Sequence, residues 1–218
     1  NEQETVPAAC RIDSQNFRQL VVNQSNEIVL DTICFESCKP CSPISCDEPR
    51  LLLMEGFEPY NLGTIGNQSD RWTTWDGELE QEGIVSAEQS FSGNQALKIE
   101  GDNGDQDALF LLNDLTEGHY ILTWKLYVQK GQRAFYNIQN FQNPPGEEFA
   151  FQDQFNEDER VTLDAGGLQV ADFSYASNDW MDIEHFIDLD NDIIRLYIDG
   201  SFVYAWKMSF SVFAPTGT

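Results

Sequence analysis

The stretch that decides the fold runs over residues 180–200, WMDIEHFIDLDNDIIRLYIDG. Over its first half, apolar residues alternate with acidic and aromatic ones, a period of two that is typical of a β-strand with one buried face. Asp190-Asn191-Asp192 then supply a turn, a second apolar run covers 193–198, and Asp199-Gly200 form another turn pair. This pattern predicts antiparallel hairpins with an acidic face toward solvent.

Short strand candidates of the same kind recur from residue 51 onward, separated by Gly, Asn and Asp. They cover residues 83–87, 95–100, 108–112, 120–128, 134–140, 149–155, 168–175 and 202–210. No long segment shows the 3.6-residue period of an amphipathic helix. Many short strands with turn signals between them predict an all-β fold, a two-sheet antiparallel β-sandwich of the jelly-roll type with little helix.

The first 49 residues differ in composition from the rest, because all the cysteines of the chain lie between Cys10 and Cys46. Two apolar runs rich in β-branched residues, 17–22 and 28–35, are separated by turn formers and predict a β-hairpin. The sequence therefore divides into a Cys-rich N-terminal segment, residues 1–49, and a β-sandwich module, residues 50–218.

The cysteines admit three chemistries. Cys34, Cys38 and Cys41 have the C-x3-C-x2-C spacing of a radical-enzyme iron–sulfur signature, and Cys46 completes four thiolates that suit zinc. A radical enzyme needs a βα barrel after this motif, whereas strands and turns follow here. Disulfides are the first choice for an exported chain, with Cys10 and the other four as candidates. Five is an odd number, so one thiol is free, buried or paired outside the chain.

Composition excludes two classes of partner. The chain has 37 acidic and 12 basic residues and a formal net charge of -25, which repels nucleic acid and anionic membranes. No apolar stretch approaches the roughly 20 residues of a membrane-spanning helix. The chain begins at Asn1 without a signal-like segment, so we expect a mature or trimmed chain that is secreted or held at the cell surface.

Asp182 and Glu184 raise the question of catalysis. They stand two residues apart on one predicted strand, and concanavalin-like glycoside hydrolases of the laminarinase type carry Glu-x-Asp-x-Glu in this arrangement as nucleophile, helper and acid/base. Trp180 occupies the nucleophile position here. A retaining glycosidase cannot form its glycosyl intermediate without that carboxylate. The sequence therefore predicts a protein that is not an enzyme, and a glycoside hydrolase or lyase is the least favoured alternative.

A sugar-binding face is the favoured interpretation. Sugar rings stack on aromatic faces, and amides and carboxylates hydrogen-bond to hydroxyl groups. If strands 120–128 and 134–140 join the strand of Asp182 in one sheet, their outward residues form one open face. Trp72 and Trp75 either flank that face or pack over the edge of the core. The predicted ligand-binding residues are Trp72, Trp75, Lys125, Tyr127, Asn137, Gln139, Asp182 and Glu184.

The loop 102–107, DNGDQD, predicts a calcium site. Its carboxylates and amide are hard oxygen ligands of the kind that Ca²⁺ takes, although the spacing is not that of an EF-hand. An ordinary hydrophilic loop is the alternative. The candidate ligands are Asp102, Asp105 and Asp107 in the loop, with Glu58 and Asp199 near the start and end of the sandwich.

Several motifs resemble, as a set, concanavalin-like or laminin-G-like jelly-roll modules. They are GFEPYNLG at 56–63, WTTW at 72–75, GIVS at 83–86, SGNQAL at 92–97, YNIQ at 136–139 and the block at 180–200. Such modules occur in secreted multidomain proteins of Bacteroidota, often exported by type IX secretion. The resemblance covers about residues 51–210 and implies an extracellular, non-catalytic module.

The sequence therefore predicts a secreted carbohydrate-binding module that holds a polysaccharide or glycoconjugate on the open face of one sheet, with calcium steadying its loops. The alternative is a structural or adhesive surface protein. In that case, contacts to other copies or to a partner protein run through strand edges, residues 1–49 and the spare thiol.

Overall fold

A computed structural model of the chain describes residues 17–23, 28–40, 46–75, 77–78, 81–100, 106–139, 148–209 and 212–213. Within these ranges the fold is all-β, with no α-helix. In chain order, the strands are β1 (Phe17–Asn23), β2 (Ile28–Pro40), β3 (Cys46–Glu55), β4 (Gly63–Thr64), β5 (Trp72–Thr73), β6 (Ile84–Ser86), β7 (Ala96–Ile99), β8 (Asp107–Leu115), β9 (His119–Val128), β10 (Ala134–Gln139), β11 (Glu148–Phe155), β12 (Arg160–Ala165), β13 (Leu168–Ser174), β14 (Trp180–Asp188), β15 (Ile193–Ile198), β16 (Ser201–Trp206) and β17 (Val212–Phe213).

These strands form two antiparallel sheets. Sheet A has the order β13-β12-β11-β10-β1-β8-β5, with β17 paired to β11. Sheet B has the order β16-β15-β14-β9-β2-β7-β6-β4, with β3 paired to β2. The prediction of an all-β, antiparallel architecture is confirmed.

The hairpins predicted over residues 180–200 are confirmed. β14 pairs with β15 and β15 pairs with β16, all antiparallel. The turns adopt the left-handed backbone that their sequence favours, with φ of 56° at Asp192, 50° at Asp199 and 71° at Gly200. Asp188 stabilises the first turn, because its Oδ1 accepts a hydrogen bond from the Asn191 N–H at 2.9 Å.

The core lies between the two sheets, whose inner faces contact each other directly. Trp124 of sheet B packs edge-on against Tyr136 of sheet A, with ring centroids 4.9 Å apart. Phe151 of sheet A meets Trp206 of sheet B at 5.0 Å. Each side chain of this size contributes about 1.5–3 kcal/mol when it is fully buried. The sheets therefore form a sandwich with a shared aromatic core.

A polar pair bridges the sheets inside this core. The Tyr136 hydroxyl and His185 Nε2 are 3.0 Å apart, and Asp153 lies opposite Tyr136 in the register of β10 and β11. All three side chains are fully buried. Burial lowers the pKa of His185 to about 3 and raises the pKa of Asp153 to about 7. The sandwich therefore buries His185 in its neutral form, as a core residue.

The predicted hairpin of 17–22 with 28–35 is wrong in its pairing. Both segments are strands, but β1 lies between β10 and β8 in sheet A, whereas β2 lies between β9 and β7 in sheet B. A central position satisfies the backbone groups on both edges of a strand, which a two-stranded hairpin cannot do. Described strands from both sides of residue 49 therefore share the same two sheets.

Candidate functional site

The outer face of sheet B brings together four of the predicted binding residues. Inward residues of β9 and β14 alternate with outward ones, and the two strands pair in register. Lys125 lies opposite Asp182, and Tyr127 lies opposite Trp180. Glu184 is one step further along β14, opposite Thr123. The predicted neighbourhood of Lys125, Tyr127, Asp182 and Glu184 is thus present.

Three aromatic side chains form a cluster on this face, here called the aromatic platform: Phe91, Tyr127 and Trp180. Trp180 meets Tyr127 with ring centroids 5.5 Å apart and Phe91 at 5.9 Å. Phe91 belongs to the loop between β6 and β7 and is 50% exposed. A large aromatic ring half exposed beside two others offers an apolar stacking surface to a ligand.

A charged pair borders the platform. The Lys125 ammonium contacts the Asp182 carboxylate and also lies 4.1 Å from the centroid of the Phe91 ring, a cation–π contact. The Asp182 side chain remains 56% exposed, while Lys125 is 23% exposed. An exposed pair of this kind adds at most about 1 kcal/mol to stability. The pair matters more for binding than for stability, because it places hydrogen-bond donors and acceptors beside the aromatic rings.

Two hydrogen bonds with Asp199 hold the Asp182 backbone in place. The Asp182 N–H donates to Asp199 Oδ1 at 2.9 Å, and the Asp199 N–H donates to the Asp182 carbonyl at 2.9 Å. Asp199, a predicted calcium ligand, therefore ties the turn after β15 to β14. This arrangement fixes the strand that carries both Asp182 and Trp180.

The Tyr127 side of the platform is anchored by Asn178, in the loop before β14. The Asn178 N–H donates to the Val128 carbonyl at 2.9 Å, and Asn178 Oδ1 accepts from the Lys130 N–H at 2.9 Å and from the Tyr127 hydroxyl at 3.4 Å. Asn178 has a φ of 58°, a conformation that Asn tolerates well. The Tyr127 ring is thus held before any ligand arrives.

The Phe91 side is anchored by Glu58, another predicted calcium ligand. Glu58 Oε1 accepts from the backbone N–H groups of Asn94 at 2.7 Å and Gln95 at 3.0 Å, and Oε2 accepts from the Asn94 amide at 3.3 Å. These hydrogen bonds lower the pKa of Glu58. Gly93, at φ +66°, approaches so closely that a Cβ would lie 2.4 Å from Glu58 Oε1. The carboxylate therefore organises the loop that presents Phe91.

The calcium prediction otherwise falls on residues of which little is described. Asp102 and Asp105 lie outside the described residues, and Asp107 is described only by its backbone in β8. No group of three or more His, Cys, Asp or Glu that could hold a metal occurs in the part of the chain that the structure describes. Calcium binding at this loop stays a prediction.

Asn137 and Gln139 are not part of this face, so their predicted placement is wrong. They lie on β10 in sheet A, 1% and 0% exposed. β10 pairs with β1 and β11, so the short connection after β9 crosses from one sheet to the other instead of closing a hairpin. Amide side chains at these positions cannot reach a ligand on sheet B.

Trp72 is a core residue, and its predicted role at the flank of the face is wrong. It is 3% exposed and packs against Phe110 at 4.8 Å and Phe57 at 6.0 Å. Its strand, β5, pairs with β8 at the edge of sheet A. Trp75 is half-buried just after β5. Trp72 therefore packs in the core, which is the alternative to a place beside the binding face.

Trp180 and Phe91 belong to the site although they are not among the predicted binding residues. Trp180 stands two residues before Asp182 and therefore shares its face, a signal that was present in the alternation. Phe91 lies in a loop, and no periodicity connects it to β14. Its position depends on the Glu58 hydrogen bonds to a segment 36 residues away in the chain.

The cysteine predictions stay predictions. Cys10 and Cys41 lie outside the described residues, while Cys34 and Cys38 on β2 and Cys46 on β3 are placed by their backbone alone.

Comparison of the chain with protein-family models, with curated proteins and with solved structures found no significant match. Across the described strands and loops, no helix is long and apolar enough to cross a membrane.

Proposed function

We propose that the protein is a secreted, non-catalytic carbohydrate-binding module of the concanavalin-like jelly-roll type, which holds a polysaccharide or glycoconjugate on the outer face of sheet B. The observation that supports this proposal is the aromatic platform beside the Lys125–Asp182 pair. An apolar ring surface next to paired donors and acceptors matches the two sides of a pyranose, its C–H face and its hydroxyl groups.

The anchoring of the platform supports binding without rearrangement. Asn178, Glu58 and Asp199 hold its three sides through hydrogen bonds to the backbone. A ligand then loses less affinity to the ordering of loops and side chains, which costs about 0.5–1.5 kcal/mol for each immobilised side chain. Repeated sugars along a polymer add avidity to a weak single contact.

Binding to a panel of polysaccharides and glycoconjugates, measured by glycan array and calorimetry, tests this function. We expect Trp180→Ala to weaken binding at least about fivefold, because loss of one stacking partner costs about 1–3 kcal/mol. Phe202→Ala is the matched control, since Phe202 is 55% exposed on the same sheet and contacts Tyr197 rather than the platform. Absence of binding to every glycan, or equal binding by the Trp180 variant, would contradict the proposal.

A second candidate function, structural or adhesive assembly, rests on β3. Among the described strands β3 pairs only with β2, and it exposes Leu51, Leu52 and Met54. An apolar strand at a sheet edge is a template for pairing with another chain. Concentration-dependent assembly in light scattering, abolished by Met54→Lys, supports this function, whereas a monomer at all concentrations argues against it.

Calcium remains part of the first proposal. If Asp102, Asp105 and Asp107 hold the ion, added Ca²⁺ raises the thermal midpoint and a chelator reverses the change. No shift at millimolar Ca²⁺ removes calcium from the proposal and leaves the aromatic platform unaffected.

A further inference from the structure

Three residues with reactive or ionisable side chains are register partners on neighbouring strands of sheet B. They lie at the end of β9 that is farther from the aromatic platform. Asp188 of β14 is the register partner of His119 of β9. His119 is in turn the register partner of Cys38 of β2. The order across the three neighbouring strands is therefore Cys, His, Asp.

The His119–Asp188 pair is well fixed. His119 Nε2 lies 3.1 Å from Asp188 Oδ1, and the Asp188 side chain is only 4% exposed. The same carboxylate accepts hydrogen bonds from the Asn191 backbone N–H at 2.9 Å and from the Asn191 amide at 2.8 Å. Asp188 therefore orients the imidazole, which also stacks on Phe186. With Nε2–H donating to Asp188, Nδ1 is the basic nitrogen.

His119 Nδ1 is buried and meets no hydrogen-bond partner among the described residues. Leaving a buried nitrogen of this kind unpaired costs about 1–3 kcal/mol. A carboxylate on one ring nitrogen and an open position on the other is the arrangement in which imidazole acts as a base.

The register of β2 and β9 places Cys38 directly opposite His119. Residues directly opposite each other in antiparallel strands have Cβ atoms about 4.5–5.5 Å apart, a separation at which a thiol and an imidazole can share a proton. Thr123 occupies the corresponding position opposite Cys34, so only one of these two β2 cysteines has a histidine as its register partner.

We propose that Cys38 is the unpaired thiol among the five cysteines and that Cys38, His119 and Asp188 form a reactive-thiol site for disulfide exchange. His119 takes the thiol proton, and the thiolate attacks one sulfur of an incoming disulfide. A new S–S bond forms as the old one breaks, and the released thiolate recovers the proton from His119. Asp188 is a positioning residue. This site is separate from the glycan face and does not depend on it.

Peptide mapping without reductant and alkylation by iodoacetamide between pH 5 and 9, both on the full chain, test the site. We expect Cys38 to be recovered as a free thiol and to react at pH 6 at least about tenfold faster than in the urea-unfolded chain, because the thiolate is the reacting form. The reaction rate should reach half its maximum well below pH 8.5, the region in which an ordinary thiol ionises.

Variants assign the roles. His119→Gln should return the alkylation profile to that of an ordinary thiol, Asp188→Asn should give an intermediate profile, and Cys34→Ser, the matched control, should leave it unchanged. Recovery of Cys38 in an intrachain disulfide or bound to zinc overturns the proposal. So does an ordinary pH profile in the native protein, a result that stands even if the variants fail to fold.

Discussion

At the scale of single residues, the most consequential groups are the ionisable ones buried between the sheets. Asp153 and His185 have pKa values moved in opposite directions by the same cause, the loss of water around a charge. The bridge between the sheets could not be recognised from sequence, because His185 and its partner Tyr136 are 49 residues apart in the chain. The alternation did place His185 on the buried side of its strand.

Replacement of Asp153 by Asn should change how stability depends on pH. Burial raises the pKa of Asp153 to about 7 from 3.8, so its contribution is fully present below about pH 4 and is lost as pH rises through 7. The amide of Asn cannot ionise. The free energy of unfolding of the Asp153→Asn variant should therefore rise relative to that of the wild type between pH 4 and 7, by on the order of a few kcal/mol. Urea unfolding at pH 4.5 and 8 measures this change, and Asp158→Asn, at an exposed position, is the control. The same free-energy difference between variant and wild type at both pH values would contradict the prediction.

Replacement of His185 by Gln should also change how stability depends on pH, because His185 contributes in the opposite direction to Asp153. The pKa of His185 is lowered to about 3 from 6.5, so its contribution is present above pH 6.5 and is lost as pH falls toward 3. In the wild type this slope opposes that of Asp153 between about pH 4 and 6.5, and the two largely cancel. In the variant the Asp153 contribution is no longer opposed, so the free energy of unfolding should fall from pH 4 to 7. A flat profile in denaturant titrations across this range would rule out the cancellation.

At the scale of elements, the alternation of apolar and polar residues predicted which face of a strand is buried. It did not predict which strands pair with each other. The pattern in β9 and β14 put Lys125, Tyr127, Asp182 and Glu184 on one face, and the register confirms it. β10 carries the same kind of pattern yet belongs to the other sheet. The period of two is a property of one strand, whereas sheet membership depends on backbone pairing with distant segments.

The sequence patterns did not predict β3, β4, β5, β12 and β17, although the signal for β12 was present. β12, RVTLDA, buries Val161, Leu163 and Ala165 in strict alternation. The β14 to β16 hairpins were predicted because their turns carry Asn, Asp and Gly, the residues that tolerate a left-handed backbone.

Gly200 offers a direct test of that turn chemistry. It has a φ of +71° and no atom within 4 Å of an added Cβ, so Gly200→Ala meets only backbone strain. We expect a loss of about 1 kcal/mol in the free energy of unfolding. Gly56→Ala is the matched control, because Gly56 is equally open and has no left-handed φ. Equal urea midpoints for the two variants would show that the turn carries no strain.

At the scale of the whole molecule, the described N-terminal strands hold central positions. β1 separates β10 from β8 in sheet A, and β2 separates β9 from β7 in sheet B. A chain of residues 50–218 therefore lacks a central strand in each sheet. We expect it to show no cooperative urea unfolding by circular dichroism, whereas the full chain unfolds in one transition. Cooperative unfolding of the shortened chain would show that residues 50–218 fold independently.

A crystal structure of the protein with a bound oligosaccharide tests whether the outer face of sheet B binds sugar. We expect a pyranose ring stacked on Trp180, between Phe91 and Tyr127, with hydroxyl groups within hydrogen-bond distance of Lys125 or Asp182. An oligosaccharide bound elsewhere on the molecule, or a platform that stays empty at saturating sugar, would contradict it.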